Sequence, residues 1–202
     1  GKYGTACRFD GADDYVEFGD SLKTSAQGTI EYWMKIEGYE NGSTFHFYEN
    51  DTTDYIRSYF DSSSNRIDLV IEDDNSAKIN VSYDLDNLIS GFFDKWLHVA
   101  WIQDGSGVSL YINGNKKSLN ETVNNGNWWN DHLSLDLVRL GFGWDYFSGV
   151  IDDFRVYNYA RTKKQILEDM NGGNGSNGGN GALKSPVLHL KFDEGRGATA
   201  YD

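Results

Sequence analysis

Trp128 and Trp129 sit in NNGNWWNDH (124–132), and Trp144 and Tyr146 sit in GFGWDYF (141–147). Aromatic faces stack on the C–H surfaces of sugar rings, and neighbouring Asn and Asp side chains exchange hydrogen bonds with hydroxyls. These four residues are therefore candidates for holding a carbohydrate. The competing reading is that they close one end of a β-sandwich as core, most plausibly for Trp144 and Phe147. Adjacent Trp128 and Trp129 in an Asn-rich loop do not both turn inward easily, so at least one is expected at the surface. Tyr55, Arg57 and Tyr59 alternate on one strand face, either a binding face or a sheet surface with solvated tips.

Catalytic patterns are absent. His46, His98, His132 and His189 have neither metal-ligand nor triad spacing. Glu72-Asp73-Asp74 falls at an expected hairpin tip, where carboxylates are solvated, whereas retaining glycoside hydrolysis needs two carboxyl groups about 5 Å apart in a cleft. The Gly-rich stretch after residue 171 lacks the preceding strand and following Lys-Ser/Thr of a phosphate loop. The chain is thus expected not to be an enzyme.

Composition narrows the partners. Lys+Arg total 18 against 31 Asp+Glu, for a net charge of −13 in 202 residues. Nucleic acid and anionic membrane surfaces would be repelled, with few cations available to release counterions. No apolar run approaches the length of a membrane span. The first residues carry no apolar leader core, so any secretion signal is expected upstream. Cys7 stands alone, which excludes an intrachain disulfide and a cysteine-based zinc site.

These candidates need a scaffold, and the pattern is all-β. Aromatics make up 15% of the chain; 22 Asp, 18 Asn and 23 Gly supply turns. Ile30, Tyr32, Met34 and Ile36 share one strand face and Glu31, Trp33 and Lys35 the other. Ile67, Leu69 and Ile71, then Ile79, Val81 and Tyr83, form a meander around the tip Asp73-Asp74-Asn75. Residues 95–117 read as a hairpin that turns at Asp104-Gly105, with Asn113-Gly114 closing the return strand. In VIDDFRVY (150–157), strict alternation places Val150, Asp152, Phe154 and Val156 on one face. A buried carboxylate at Asp152 then requires a cation or several donors. One helix follows, with Thr162 and Gln165 as a capping box, Ile166, Leu167 and Met170 as its apolar stripe, and Gly172 as its stop. Residues 171–182 form a Gly/Asn/Ser linker. Beyond it, Leu188, Leu190 and Phe192 alternate as a strand too short to build its own core.

Four segments in order, ACRFDGADDYVEF (6–18), TIEYWMKI (29–36), WLHVAWIQDGSGVSLYINGN (96–115) and SGVIDDFRVYNYARTKKQI (148–166), resemble bacterial laminin-G-like domains of the concanavalin A-like lectin/glucanase superfamily. The resemblance implies a two-sheet antiparallel jelly-roll sandwich over residues 1–170 with one short C-terminal helix. It implies a structural Ca2+ near the FDG loop and the IDD strand, with Asp10, Asp13, Asp14, Asp152 and Asp153 as the matching oxygens. The glucanases of that superfamily carry a Glu-x-Asp-x-x-Glu strand motif, which this chain lacks. LHLKFDEGRGATAYD (188–202) resembles the family's opening strand, so residues 183–202 are expected to be the opening strand of a following repeat. That strand is expected to dock as the missing strand of a jelly roll through residues 187–193, in its own chain or in a neighbouring copy. The implied role is a non-catalytic extracellular or cell-surface module that binds glycan in adhesion. The alternative is a structural stalk or filament repeat without a small ligand.

Overall fold

A computed structural model describes residues 1–19, 26–48, 54–88, 91–126, 137–172 and 185–194. Fourteen strands and one α-helix are found among them. The strands are β1 (Cys7–Asp10), β2 (Val16–Gly19), β3 (Gly28–Ile36), β4 (Gly42–Tyr48), β5 (Tyr55–Asp61), β6 (Arg66–Asp73) and β7 (Ser76–Asp84). They continue with β8 (Leu97–Gln103), β9 (Val108–Ile112), β10 (Asn115–Lys116), β11 (Asn120–Asn124), β12 (Leu137–Leu140), β13 (Ser148–Tyr157) and β14 (Leu188–Leu190); α1 is Lys163–Met170.

Two antiparallel sheets form the expected sandwich. The first runs β1-β13-β3-β8-β9-β10, with β14 also on β13; the second runs β11-β7-β6-β5-β4-β12-β2. Alternation decides which side chains meet between them. Ile30, Tyr32, Met34, Val99 and Trp101 from the first sheet join Phe45, Phe47, Ile56, Phe60, Leu69 and Val81 from the second in one core. Turn chemistry sets the registers. Asn113 and Gly114 both have positive φ, at 50° and 71°, as do Asp74 and Asn75 at the β6–β7 tip. These are the torsions that twisted two-residue hairpins require, and Asn, Asp and Gly reach them at least cost.

Strand β13 departs from strict alternation. Its pairing with β3 shifts between Asp152 and Arg155, and Asp153 has φ 54°. The extra residue is a β-bulge, which moves the core face from Ile151 before it to Phe154 and Val156 after it. Asp152 therefore leaves the apolar face assigned by sequence. It is fully buried, and its Oδ2 accepts the backbone N–H groups of Lys2 (2.6 Å) and Tyr3 (3.2 Å). Donors thus satisfy one of its two oxygens, and the buried Oδ1 has no hydrogen-bond partner among the described residues.

Helix α1 covers the outer face of the first sheet. Thr162 and Gln165 form the capping box, and Ile166 packs against Ala100 and Ile102. Beneath α1 lies a buried charged group. Asp169 faces Arg155 and Arg161, Asp153 faces Arg155 and His189, and the Tyr157 hydroxyl donates to Asp169 Oδ2 at 2.9 Å. Glu31 is fully buried nearby, beside the Tyr157 hydroxyl. Burial pushes Glu31 up to about 7, against the lowering charges of Arg161 and Arg155.

The terminal strand is docked in its own chain. β3 occupies one edge of β13, so β1 and β14 must share the other. β1 pairs with Ser148–Ile151, and β14 pairs with Phe154–Val156. Leu188, Leu190 and Phe192 enter the core, each less than a tenth exposed. The Thr5 hydroxyl donates to the Phe192 carbonyl, and the Thr5 N–H donates to Asp193 Oδ1 at 3.2 Å. A single edge is thus completed by two short strands laid end to end across the bulge.

Candidate functional site

On the second sheet, the pleat that sends Phe45, Phe47, Ile56 and Phe60 inward sends His46, Tyr48, Tyr55, Arg57 and Tyr59 outward. The loop after β12 folds over this outer face. The Phe147 N–H donates to the Gly141 carbonyl (2.8 Å), and the Ser43 N–H donates to Asp145 O (3.2 Å). Gly143 permits the approach, since a Cβ there would stand 2.4 Å from Ser43 Oγ and 3.1 Å from Arg57 Nε.

Arg57 is the centre of the arrangement. Its Nε donates to Ser43 Oγ (2.7 Å) and its Nη2 to Asp145 Oδ2 (3.0 Å). The guanidinium carbon lies 4.3 Å from the Tyr59 ring centroid and 4.6 Å from that of Trp144. Trp144 remains 50% exposed. It stands edge-on to Tyr55 (4.8 Å) and His46 (5.6 Å), and His46 stacks on Tyr48 at 4.8 Å. Burial, then the charges of Arg57 and Arg139, push His46 down to about 3, so the ring is neutral. Cation–ring contacts and the Asp145 bond hold the exposed indole in a fixed plane.

A second aromatic group lies across β12. Arg139 donates to Glu17 Oε2 (2.6 Å) and lies 5.0, 5.1 and 5.3 Å from the rings of Tyr15, Tyr48 and Phe142. Tyr146 stacks on Phe142 at 4.4 Å, and Phe142 lies 5.9 Å from Tyr15, itself 47% exposed. Fixed planar surfaces beside amide, hydroxyl and carboxylate groups suit a sugar ring, which offers an apolar C–H face and a rim of hydroxyls.

The structure brings Trp144 and Tyr146 to this face together with Tyr55, Arg57 and Tyr59; of the two residues expected as core, Phe147 turns inward while Trp144 stays half exposed, held on the outer face by Arg57. Trp128 and Trp129 lie outside the described residues. The face also holds His46, Tyr48, Arg139 and Tyr15, none of them a carbohydrate-binding candidate by sequence, and Asp145 from the GFGWDYF loop. The FHFY alternation at 45–48 carried the signal for two of them, since it places His46 and Tyr48 opposite the core-facing phenylalanines.

The five carboxylates matched to Ca2+ separate into two places. Asp10, Asp13 and Asp14 bring one oxygen each within 4.8 Å of one another at the exposed end of β1. Asp152 and Asp153 lie beyond the other end of β1, since Asp10 pairs with Ser148 and Cys7 with Ile151. The first three residues present the oxygen donors that a hard divalent ion prefers. Asp152 Oδ2 accepts backbone N–H groups while its buried Oδ1 has no hydrogen-bond partner among the described residues, and Asp153 is engaged by Arg155 and His189.

Comparison with known proteins follows the sheet order. A family model of the concanavalin A-like lectin/glucanases superfamily, the third laminin-G type, matches residues 10–167. The chain belongs to this superfamily. Among solved structures, this concanavalin A-like domain is similar to domain 4 of AbnA, a GH43 extracellular arabinanase from Geobacillus stearothermophilus, in complex with arabinotriose. The TM-score is 0.62 at 24% identity, over 83% of this chain and 77% of that one. It is also similar to the receptor binding domain of botulinum neurotoxin C/D mosaic serotype (TM-score 0.65, 16% identity), covering 84% of this chain and 43% of that one. A candidate carbohydrate binding protein from Bacteroides ovatus gives TM-score 0.63 at 16% identity, over 95% of this chain and 53% of that one. At these identities the likeness is one of fold. No curated protein matches the chain.

Proposed function

We propose that this concanavalin A-like domain is a non-catalytic carbohydrate-binding module of a secreted or surface-anchored repeat protein. It takes glycan on the outer face of the second sheet, and adhesion would follow from that binding. The observation that carries the reading is the half-exposed Trp144, fixed over the Arg57–Asp145 pair in a frame of Tyr55, Tyr59 and His46. Two relatives in fold support it, one named as a complex with arabinotriose and one named as a candidate carbohydrate binding protein. Asp145 and Glu17 are engaged by arginines rather than left as an acid and base, which favours binding over hydrolysis. The test is a glycan array probed with the intact chain and with Trp144→Ala. Signals that vanish in the variant support the reading; identical signals contradict it.

Any structural Ca2+ is assigned to Asp10, Asp13 and Asp14 alone, because these oxygens converge and fit a hard ion. It would pull three like charges together at the β1–β2 loop.

The pairing of Leu188–Leu190 with β13 favours a second, compatible role. The segment 183–202 is read as the opening strand of a following repeat, so a neighbouring copy could supply it to the same edge. The linked segment competes at an effective concentration in the millimolar range, so exchange would emerge only in crowded arrays or after refolding at high concentration. Light scattering of the intact chain after such refolding tests this: a dimer abolished by Leu190→Asp supports exchange, and a monomer throughout excludes it.

A further inference from the structure

The outer face carries two stacking platforms. Trp144 stands over Arg57 at β5 and β4; Tyr15 stands beside Arg139 at β12 and β2. Both rings are about half exposed, and they are two of the four large exposed hydrophobic side chains among the described residues. His46 and Tyr48 on β4, then Arg139 on β12, link them without a break. Adjacent strands lie about 4.8 Å apart, so the three steps from β5 to β2 span ~14 Å, more than one sugar ring.

The charges of this face are already matched. Arg57 pairs with Asp145 (3.0 Å), Arg139 with Glu17 (2.6 Å), and Arg66 with Asp61 (3.0 Å) and Asp68 (3.1 Å). Each guanidinium therefore has a carboxylate before any ligand arrives. Glu72 adds a further carboxylate on the same side of β6. His46, buried between two arginines, adds no positive charge. Its Nε2 has no hydrogen-bond partner among the described residues.

We propose that the ligand is an uncharged oligosaccharide of at least two rings, laid across the strands from Trp144 to Tyr15. This rests on the glycan-binding reading above and specifies its ligand. A uronate or sialate carboxylate would have to displace Asp145 or Glu17 from its arginine, leaving the displaced group unpaired, and would meet the remaining acids of the face. A neutral chain meets no such opposition. Its hydroxyls find the exposed edges of Asp145, Tyr59 and Tyr48, and its ring faces find the two platforms. Two platforms three inter-strand spacings apart also reward length, because a single ring reaches only one of them.

The test titrates the intact chain with neutral pentose and hexose ladders from mono- to hexasaccharide, and with uronic acid ladders of the same lengths. At least one neutral ladder should gain tenfold or more in affinity between one ring and three, while the uronic ladders remain weaker. Tyr15→Ala should cost the trisaccharide about tenfold and the monosaccharide little; Tyr15→Phe should retain the affinity; Trp144→Ala should weaken both. A uronic ladder that binds more tightly, a monosaccharide that binds as well as a hexasaccharide, or a Tyr15→Ala variant indistinguishable on the trisaccharide overturns this inference and leaves the glycan-binding reading intact. Failure of every ladder and of the array overturns both.

Discussion

Arg57 holds its guanidinium 4.6 Å from the centroid of the Trp144 ring while donating to Asp145 at 3.0 Å. One residue thus fixes both the stacking surface and the acceptor beside it. Arg57→Lys keeps the charge but loses the planar fork. We expect it to weaken glycan binding at least tenfold and to lower stability by about 1–2 kcal/mol, for the lost Ser43 and Asp145 bonds. Calorimetric titration and denaturant unfolding read the two effects; unchanged affinity would remove Arg57 from the site.

The docked tail should be part of the cooperative fold. Leu190 is 5% exposed and packs in the main core. Leu190→Ala should cost about 2–3 kcal/mol, the low end for a buried leucine because β14 is short. A loss below about 0.5 kcal/mol in urea unfolding, the range of an ordinary surface substitution, would mean that the segment contributes nothing.

Glu31 is the surplus acid beneath α1. Two arginines, Arg155 and Arg161, face three carboxylates there, Asp153, Asp169 and Glu31. Its folded value of about 7 lies above its ordinary 4.5. The folded state therefore binds the proton more tightly, and the associated stability is present at acid pH and lost as pH rises through that window. Glu31→Gln should flatten the dependence between pH 4.5 and 7 and raise Tm at pH 8. An equal or lower Tm at pH 8 would show that Glu31 is stabilised as the anion.

Ca2+ should act through the loop and not through the bulge. Adding Ca2+ to chelator-treated protein should raise Tm, and Asp14→Asn should abolish the increase. Asp152→Asn should lower Tm by weakening the Lys2 and Tyr3 bonds while preserving the response to Ca2+. A response lost in Asp152→Asn and kept in Asp14→Asn would reverse the assignment.

The sandwich was legible because its signals are local. Alternation at 30–36, 67–71 and 79–83, the Asn113-Gly114 turn and the Thr162–Gln165 cap each depend on neighbours along the chain, and each appears where expected. The bulge at Asp152-Asp153 was not legible, since strict alternation cannot reveal an extra residue in one strand. Ca2+ coordination by all five acids relied on Asp10, Asp13 and Asp14 meeting Asp152 and Asp153, and the length of β1 keeps the two groups apart. The aromatic face was half visible. Trp144, Tyr146, Tyr55, Arg57 and Tyr59 could be read from composition and spacing, but their union with Arg139 and Tyr15 depends on β12 lying between β4 and β2, a long-range pairing.

The most direct measurement is the affinity of the intact chain and of Trp144→Ala for the strongest array glycan, with Tm recorded for both. Because Trp144 is half exposed and outside the core between the sheets, its removal should lower Tm modestly while leaving the domain folded, and weaken binding at least tenfold, about 1.4 kcal/mol. Equal affinity in the two proteins would place the ligand elsewhere and contradict the account.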